Sequence, residues 1–106
     1  MEKKNLDWAN IGFSYVTTDY RYVSNYKDGK WDEGTLTEDP NVVINECAGI
    51  LQYCQECFEG LKAYTTEDGS IVTFRPDLNA ERMMDSCARL EMPQFPKDRW
   101  IDALDK

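Results

Sequence analysis

Residues 53–82 read YCQECFEGLKAYTTEDGSIVTFRPDLNAER, and this stretch decides the fold. Leu61-Lys62-Ala63-Tyr64-Thr65 and Ile71-Val72-Thr73-Phe74-Arg75 carry the β-branched and aromatic residues that suit strands. Glu67-Asp68-Gly69-Ser70 lies between them, so the two runs predict a hairpin. Pro76-Asp77 then ends the second strand and opens a helix. Proline suits the first helical turn, where an N–H has no intrahelical partner, and Asp77 meets the positive end of the helix dipole. Leu78, Met83, Met84, Cys87 and Leu90 recur at roughly helical spacing and carry that helix to about Leu90. Just upstream, Ala48 to Phe58 predicts a short helix. Gly60 is expected to stop it, since glycine enters the left-handed region cheaply.

The same reading extends outward. Tyr20 to Tyr26 alternates and is rich in aromatics, as a strand would be. Lys27-Asp28-Gly29-Lys30 is a hairpin turn, and Trp31-Asp32-Glu33 starts the return strand. Thr37 to Asn41 predicts a turn, and Val42-Val43-Ile44-Asn45 a short β-branched strand. Residues 5–19 mix aromatic and polar residues without helical period and are read as an extended arm. Met92-Pro93 ends the long helix, and Pro96-Lys97-Asp98 begins another. Every inferred strand connection is short, which favours antiparallel pairing. The expected class is α+β: an antiparallel sheet with helices on one side, residues 1–19 forming an N-terminal arm and 20–106 one domain.

Composition narrows the partners. The chain has 106 residues, 42% of them hydrophobic, so at most one domain with a modest core is expected. Its 3 Trp, 6 Tyr and 4 Phe argue for packing, because each ring has a large area to bury. A net charge of −8 opposes nucleic acid or an anionic membrane as partner. No apolar run approaches the ~20 residues of a membrane span, and no apolar stretch follows the N-terminal lysines as in a signal peptide. A soluble cytoplasmic protein is therefore expected.

The chain contains no histidine, which removes Ser-His-Asp and Cys-His nucleophilic catalysis. Arg82 lies one turn into the long helix by this reading, where a planar guanidinium can hold a phosphate. Pairing with Glu81 or Asp85 is its plainer alternative. Cys54-x-x-Cys57 invites a redox or metal reading. A lone CxxC, with Cys47 and Cys87 isolated, reads more simply as small buried residues in a reducing compartment, and no metal site is expected. Glu59 sits between Phe58 and Gly60, and the sequence does not reveal its partner.

Taken in order, Phe58-Glu59-Gly60, Phe74-Arg75-Pro76 and Leu78-Asn79-x-x-Arg82-Met83 resemble the fold-type-IV pyridoxal-phosphate enzymes, and specifically the branched-chain amino acid aminotransferases. Gly12-Phe13, Thr18-Asp19, Asp28-Gly29-Lys30-Trp31, Asn45-Glu46-Cys47-Ala48 and Leu51-Gln52-Tyr53 extend the resemblance over nearly all of residues 6–104. It implies that Arg82 binds the phosphate of pyridoxal 5'-phosphate. It implies that Phe58 and Gly60 form the turn beside the substrate, and that Phe13 and Tyr53 line a pocket for leucine, isoleucine or valine. It further implies 2-oxo acid co-substrates, a homodimer at full length, and amino-acid biosynthesis as the setting. In the family, the lysine that bonds the cofactor as a Schiff base lies well downstream, in a second domain. None of Lys3, Lys4, Lys27, Lys30, Lys62, Lys97 and Lys106 occupies that position, so no catalytic residue is assigned. Residues 20–106 are then a partial small domain, and the chain alone is expected to be inactive. Two other readings stay open. One is a different fold-type-IV enzyme, such as a D-amino acid aminotransferase or an aminodeoxychorismate lyase. The other is an interaction module that kept the fold and lost catalysis.

Overall fold

The computed structural model describes residues 5–7 and 9–106, so part of the expected arm lies outside the described residues. Residues 9–19 contain turns and bends but neither helix nor strand. The elements are β1 (Arg21–Val23), β2 (Tyr26–Lys27), β3 (Lys30–Trp31), β4 (Thr35–Thr37), α1 (Gly49–Tyr53), β5 (Ala63–Thr65), β6 (Ile71–Thr73), α2 (Pro76–Arg89) and α3 (Lys97–Leu104). The class is α+β, and all strand pairing among the described residues is antiparallel. The ladders are two-stranded: β1 with β4, β2 with β3, and β5 with β6.

The expected first strand, Tyr20 to Tyr26, is split in two. The cause is Asp32, whose carboxylate accepts hydrogen bonds from Ser24 Oγ (2.9 Å), Asn25 N (3.0 Å), Asn25 Nδ2 (3.0 Å) and Gly34 N (3.0 Å). These donors, the Asn25 side chain foremost, hold its pKa down to about 2. Beyond the break, Asp28 (φ 52°) and Gly29 (φ 82°) both take positive φ, as the β2–β3 hairpin turn requires.

Two further expectations are corrected. Val42-Val43-Ile44-Asn45 forms no strand, and Val42 and Val43 are exposed. Arg21 donates from Nε to the Asp39 carbonyl (2.6 Å) and from Nη2 to that of Asn41, so the approach to this segment is held by a side chain. β-propensity alone does not make a strand where no neighbour pairs with it. The helix expected over Ala48 to Phe58 is only Gly49–Tyr53, and Cys54 rather than Gly60 supplies the left-handed stop (φ 51°, ψ 35°). This helix buries no residue, so nothing propagates it. Gln55 Nε2 instead donates to the Leu90 carbonyl (2.9 Å), drawing the chain onto the end of α2.

The second half follows the sequence closely. β5 and β6 pair in the register Ala63↔Thr73 to Thr65↔Ile71. Arg75 (φ 47°) turns the chain into α2 and forks onto Asp77 at 2.9 and 2.7 Å. At the other end, Glu91 N donates to Ala88 O (3.2 Å) and Met92 N to Cys87 O (2.8 Å). That pair of bonds is a Schellman stop, with Glu91 (φ 54°) in the place usually held by glycine. α3 packs on α2, and Trp31 ties the β2–β3 hairpin to the link between them. Its Nε1 donates to Gln94 O (2.9 Å) and its ring meets Phe95 edge-on at 4.9 Å.

The packing expected from the aromatic residues is mostly absent. Among the described residues only Ala80 and Cys87, both on α2, are buried hydrophobics, while Phe13, Tyr53, Phe58 and Phe74 are exposed. A two-stranded ladder has no second layer to cover its rings. Among the described residues, no helix is long and apolar enough to cross a membrane.

Candidate functional site

The segment Cys57 to Gly60 runs along α2, from its C-terminal half toward its N-terminal half. Cys57 lies over Met83 and Cys87, while Glu59 lies over Asn79 and Arg82. Helical spacing makes this possible, because positions 79, 82, 83 and 87 are spaced to share a face.

Glu59 points back onto the helix. Its Oε2 accepts from Arg82 Nε at 2.7 Å, and its Oε1 accepts from Arg82 Nη2 at 2.5 Å. Oε1 also accepts from Asn79 Nδ2 (2.9 Å) and from the backbone N–H of Gly60 (2.9 Å). These bonds, the Arg82 fork first, pull the Glu59 pKa down to about 2. The Glu59 side chain is 4% exposed and that of Arg82 69%. Arg82 is therefore gripped along its Nε–Nη2 edge, which leaves Nη1 on the outer edge of the guanidinium. The pairing of Arg82 with Glu81 or Asp85 is not the one formed, and Glu81 takes Lys97 Nζ instead, at 2.6 Å.

Phe58 and Gly60 flank Glu59 and line an open cleft of ≈590 Å³ beside the β5–β6 hairpin. Leu61, Lys62, Tyr64, Phe74 and Asn79 complete its walls. Asn79 belongs to both the helix and the cleft, since its Nδ2 also donates to the Gly60 carbonyl (2.9 Å). Chemically, the arrangement offers a cation fixed for an anion, next to an apolar wall bearing aromatic rings.

Of the residues singled out in the sequence, the structure brings together Arg82, Phe58 and Gly60. Tyr53 ends α1 and Phe13 lies in the arm; both are exposed, and neither lines the cleft. Sequence reasoning missed Asn79 as the residue that holds the turn. The signal was the three-residue spacing of Asn79 and Arg82 opposite a Glu-Gly turn. It also missed that Cys57 faces Cys87 rather than Cys54.

No protein-family model matches the chain. Curated proteins do. A branched-chain-amino-acid aminotransferase of Haemophilus influenzae is 55% identical over 100 residues, which is 94% of this chain and 29% of that protein. One from Helicobacter pylori is 44% identical over 100 residues, with the same two shares. A methionine aminotransferase of Arabidopsis thaliana is 42% identical over 101 residues, 94% of this chain and 28% of its own length. The chain thus spans under a third of the length of the relatives it matches.

Proposed function

We propose that this chain belongs to the branched-chain-amino-acid aminotransferase family and forms the phosphate-holding and turn-bearing side of a pyridoxal-phosphate site. The observation that carries the reading is the Arg82 guanidinium, locked along one edge by Glu59 with its other edge turned away. The residues present fit such a cofactor. A phosphate needs a fixed planar donor whose charge is accessible, and Arg82 Nη1 meets that need. When bound, the cofactor would supply an electron sink for moving an amino group.

The chain's own residues would then do three things. Arg82 holds the anion. Glu59 and Asn79 keep Arg82 and the Phe58–Gly60 turn in one geometry. Phe58, Tyr64 and Phe74 offer an apolar wall to a branched side chain, whose recognition rests on buried methyl groups. Phe13 and Tyr53 remain proposed pocket residues, brought up to the site in the longer protein. The substrates are leucine, isoleucine or valine with 2-oxoglutarate. The lysine that bonds the cofactor comes from sequence beyond these residues, so the chain alone does not transaminate. The setting is cytoplasmic biosynthesis, and the full-length protein is a homodimer. Methionine is a second substrate reading, favoured by the name of the Arabidopsis relative.

The test is a chimaera in which these residues replace the matching segment of the Haemophilus influenzae protein. It should transfer amino groups from branched-chain amino acids. Arg82→Ala in it should weaken cofactor binding about 10- to 150-fold, the loss of roughly 1.5–3 kcal/mol from a charge-assisted pair. An inactive but folded chimaera, or unchanged cofactor affinity, would overturn the reading. The chain alone, treated with pyridoxal phosphate and borohydride, should yield no single stoichiometrically modified lysine.

A further inference from the structure

Cys57 and Cys87 come from different parts of the chain, yet their Sγ atoms stand 3.5 Å apart. Cys57 Sγ also lies 3.3 Å from Met83 Sδ, one turn before Cys87 on α2. The contacts order themselves as a relay: Cys57 donates its S–H to the Met83 thioether, and Cys87 donates to Cys57. Cys87 is buried, and burial first, then its bond to Cys57, pushes its thiol up to about 11. Cys57 is only half-buried, so it is the accessible member of the pair. Cys54 is exposed at the left-handed end of α1, and Cys47 is exposed before it.

We propose that Cys57 and Cys87 form a reversible dithiol–disulfide couple that staples the Phe58-Glu59-Gly60 turn to α2. The oxidant is a low-molecular-weight disulfide of the oxidised-glutathione type. Cys57 gives its proton to solvent base and its thiolate attacks one sulfur of it; that S–S bond breaks, and one small thiolate leaves with the electron pair. Cys87 gives its proton to solvent base and attacks Cys57 Sγ, expelling the second small thiol. Two protein thiols are oxidised and one disulfide is reduced to two thiols, so electrons balance. The two sulfurs must close from 3.5 Å to about 2.05 Å. The bond joins the residue before Phe58 to the helix that carries Arg82, and so restrains the same turn that Glu59 and Asn79 hold. It needs no cofactor and stands independently of the proposed activity.

The test uses the reduced chain incubated with excess oxidised glutathione, quenched in acid and then alkylated with a maleimide. Intact mass should show the loss of two hydrogens, with the exposed Cys47 and Cys54 recovered as alkylated or glutathione-bound thiols. A proteolytic digest should join the Cys57 and Cys87 peptides, and dithiothreitol should reverse the change. Amide exchange at Phe58, Glu59 and Gly60 should slow in the oxidised form. In Cys87→Ser, Cys57 should instead accumulate as the mixed disulfide with glutathione. Should that variant fail to fold, Cys47→Ser/Cys54→Ser keeps the pair and should still close it. A Cys54–Cys57 link, four alkylated thiols in the native chain, or the same Cys57–Cys87 yield in strong urea would overturn the proposal.

Discussion

Replacing Glu59 by Gln tests the link between the turn and α2 most directly. The substitution keeps shape and removes charge. The Oε1 position, which accepts from Arg82, Asn79 and Gly60, can stay an amide oxygen. The new NH2 must then face Arg82 Nε, a donor, where Oε2 had accepted at 2.7 Å. A hydrogen bond to a charged group contributes roughly 1.5–3 kcal/mol. Arg82 is 69% exposed, so water replaces part of what it loses, and the expected destabilisation at pH 7 is about 1–2 kcal/mol. In urea, followed by the helical signal of α2, that displaces the midpoint by about 1 M.

The pH dependence carries a sign. Glu59 titrates near 2 in the folded chain, below its ordinary value of 4.5. Between those values the unfolded chain binds more protons, so falling pH favours unfolding of the unsubstituted chain. The variant has no such group. The gap between the two should be full above pH 4.5, shrink below it and vanish near pH 2. A gap of the same size at both ends of that window would show that packing, not the ion pair, is responsible. No gap at neutral pH would refute the reasoning altogether.

Three other perturbations probe the frame. Gly34→Ala places a methyl against the Tyr22 hydroxyl at a left-handed position (φ 72°) and should cost about 1–3 kcal/mol in thermal unfolding; an unchanged transition would deny the close approach. Trp31→Phe keeps an aromatic ring but loses the 2.9 Å bond to Gln94 O, at about 1 kcal/mol, while Trp31→Ala also loses the Phe95 contact and should cost about 2–3 kcal/mol; equal losses would show that the ring contact contributes nothing. Glu91→Gly relieves a left-handed glutamate at the end of α2 and should raise stability by about 0.5–1 kcal/mol, a gain that calorimetry would miss only if the Schellman stop is not formed in solution.

What is legible in the sequence is what local chemistry determines. Asp28-Gly29 makes its hairpin and Pro76-Asp77 opens α2, because each choice depends on backbone preferences within a few residues. Val42-Val43-Ile44 fails as a strand because a strand needs a neighbour, and sequence spacing does not show one. The helix after Ala48 stops early for a related reason. It has no buried face, and Gln55 finds a carbonyl on α2 thirty-five residues away. Arg82 can be singled out as a cation early in a helix, but its partner lies twenty-three residues upstream and is invisible without the fold.

That partner changes what Arg82 can do. An exposed arginine with no carboxylate beside it sweeps a wide volume and loses that freedom whenever it binds an anion. Glu59 removes much of the freedom beforehand, fixing Nε and Nη2 and leaving Nη1 on the far edge. The same carboxylate also cancels part of the guanidinium charge, which weakens long-range attraction for an anion. Pre-ordering and charge cancellation act in opposite directions, and geometry decides which matters more. A phosphate that reaches Nη1 meets a donor already in place, so binding at contact gains from the order while approach from a distance loses. Glu59→Gln should therefore speed the capture of a phosphate-bearing ligand at low salt and also speed its release. A substitution that changed only the capture rate would leave Glu59 no part in positioning Arg82.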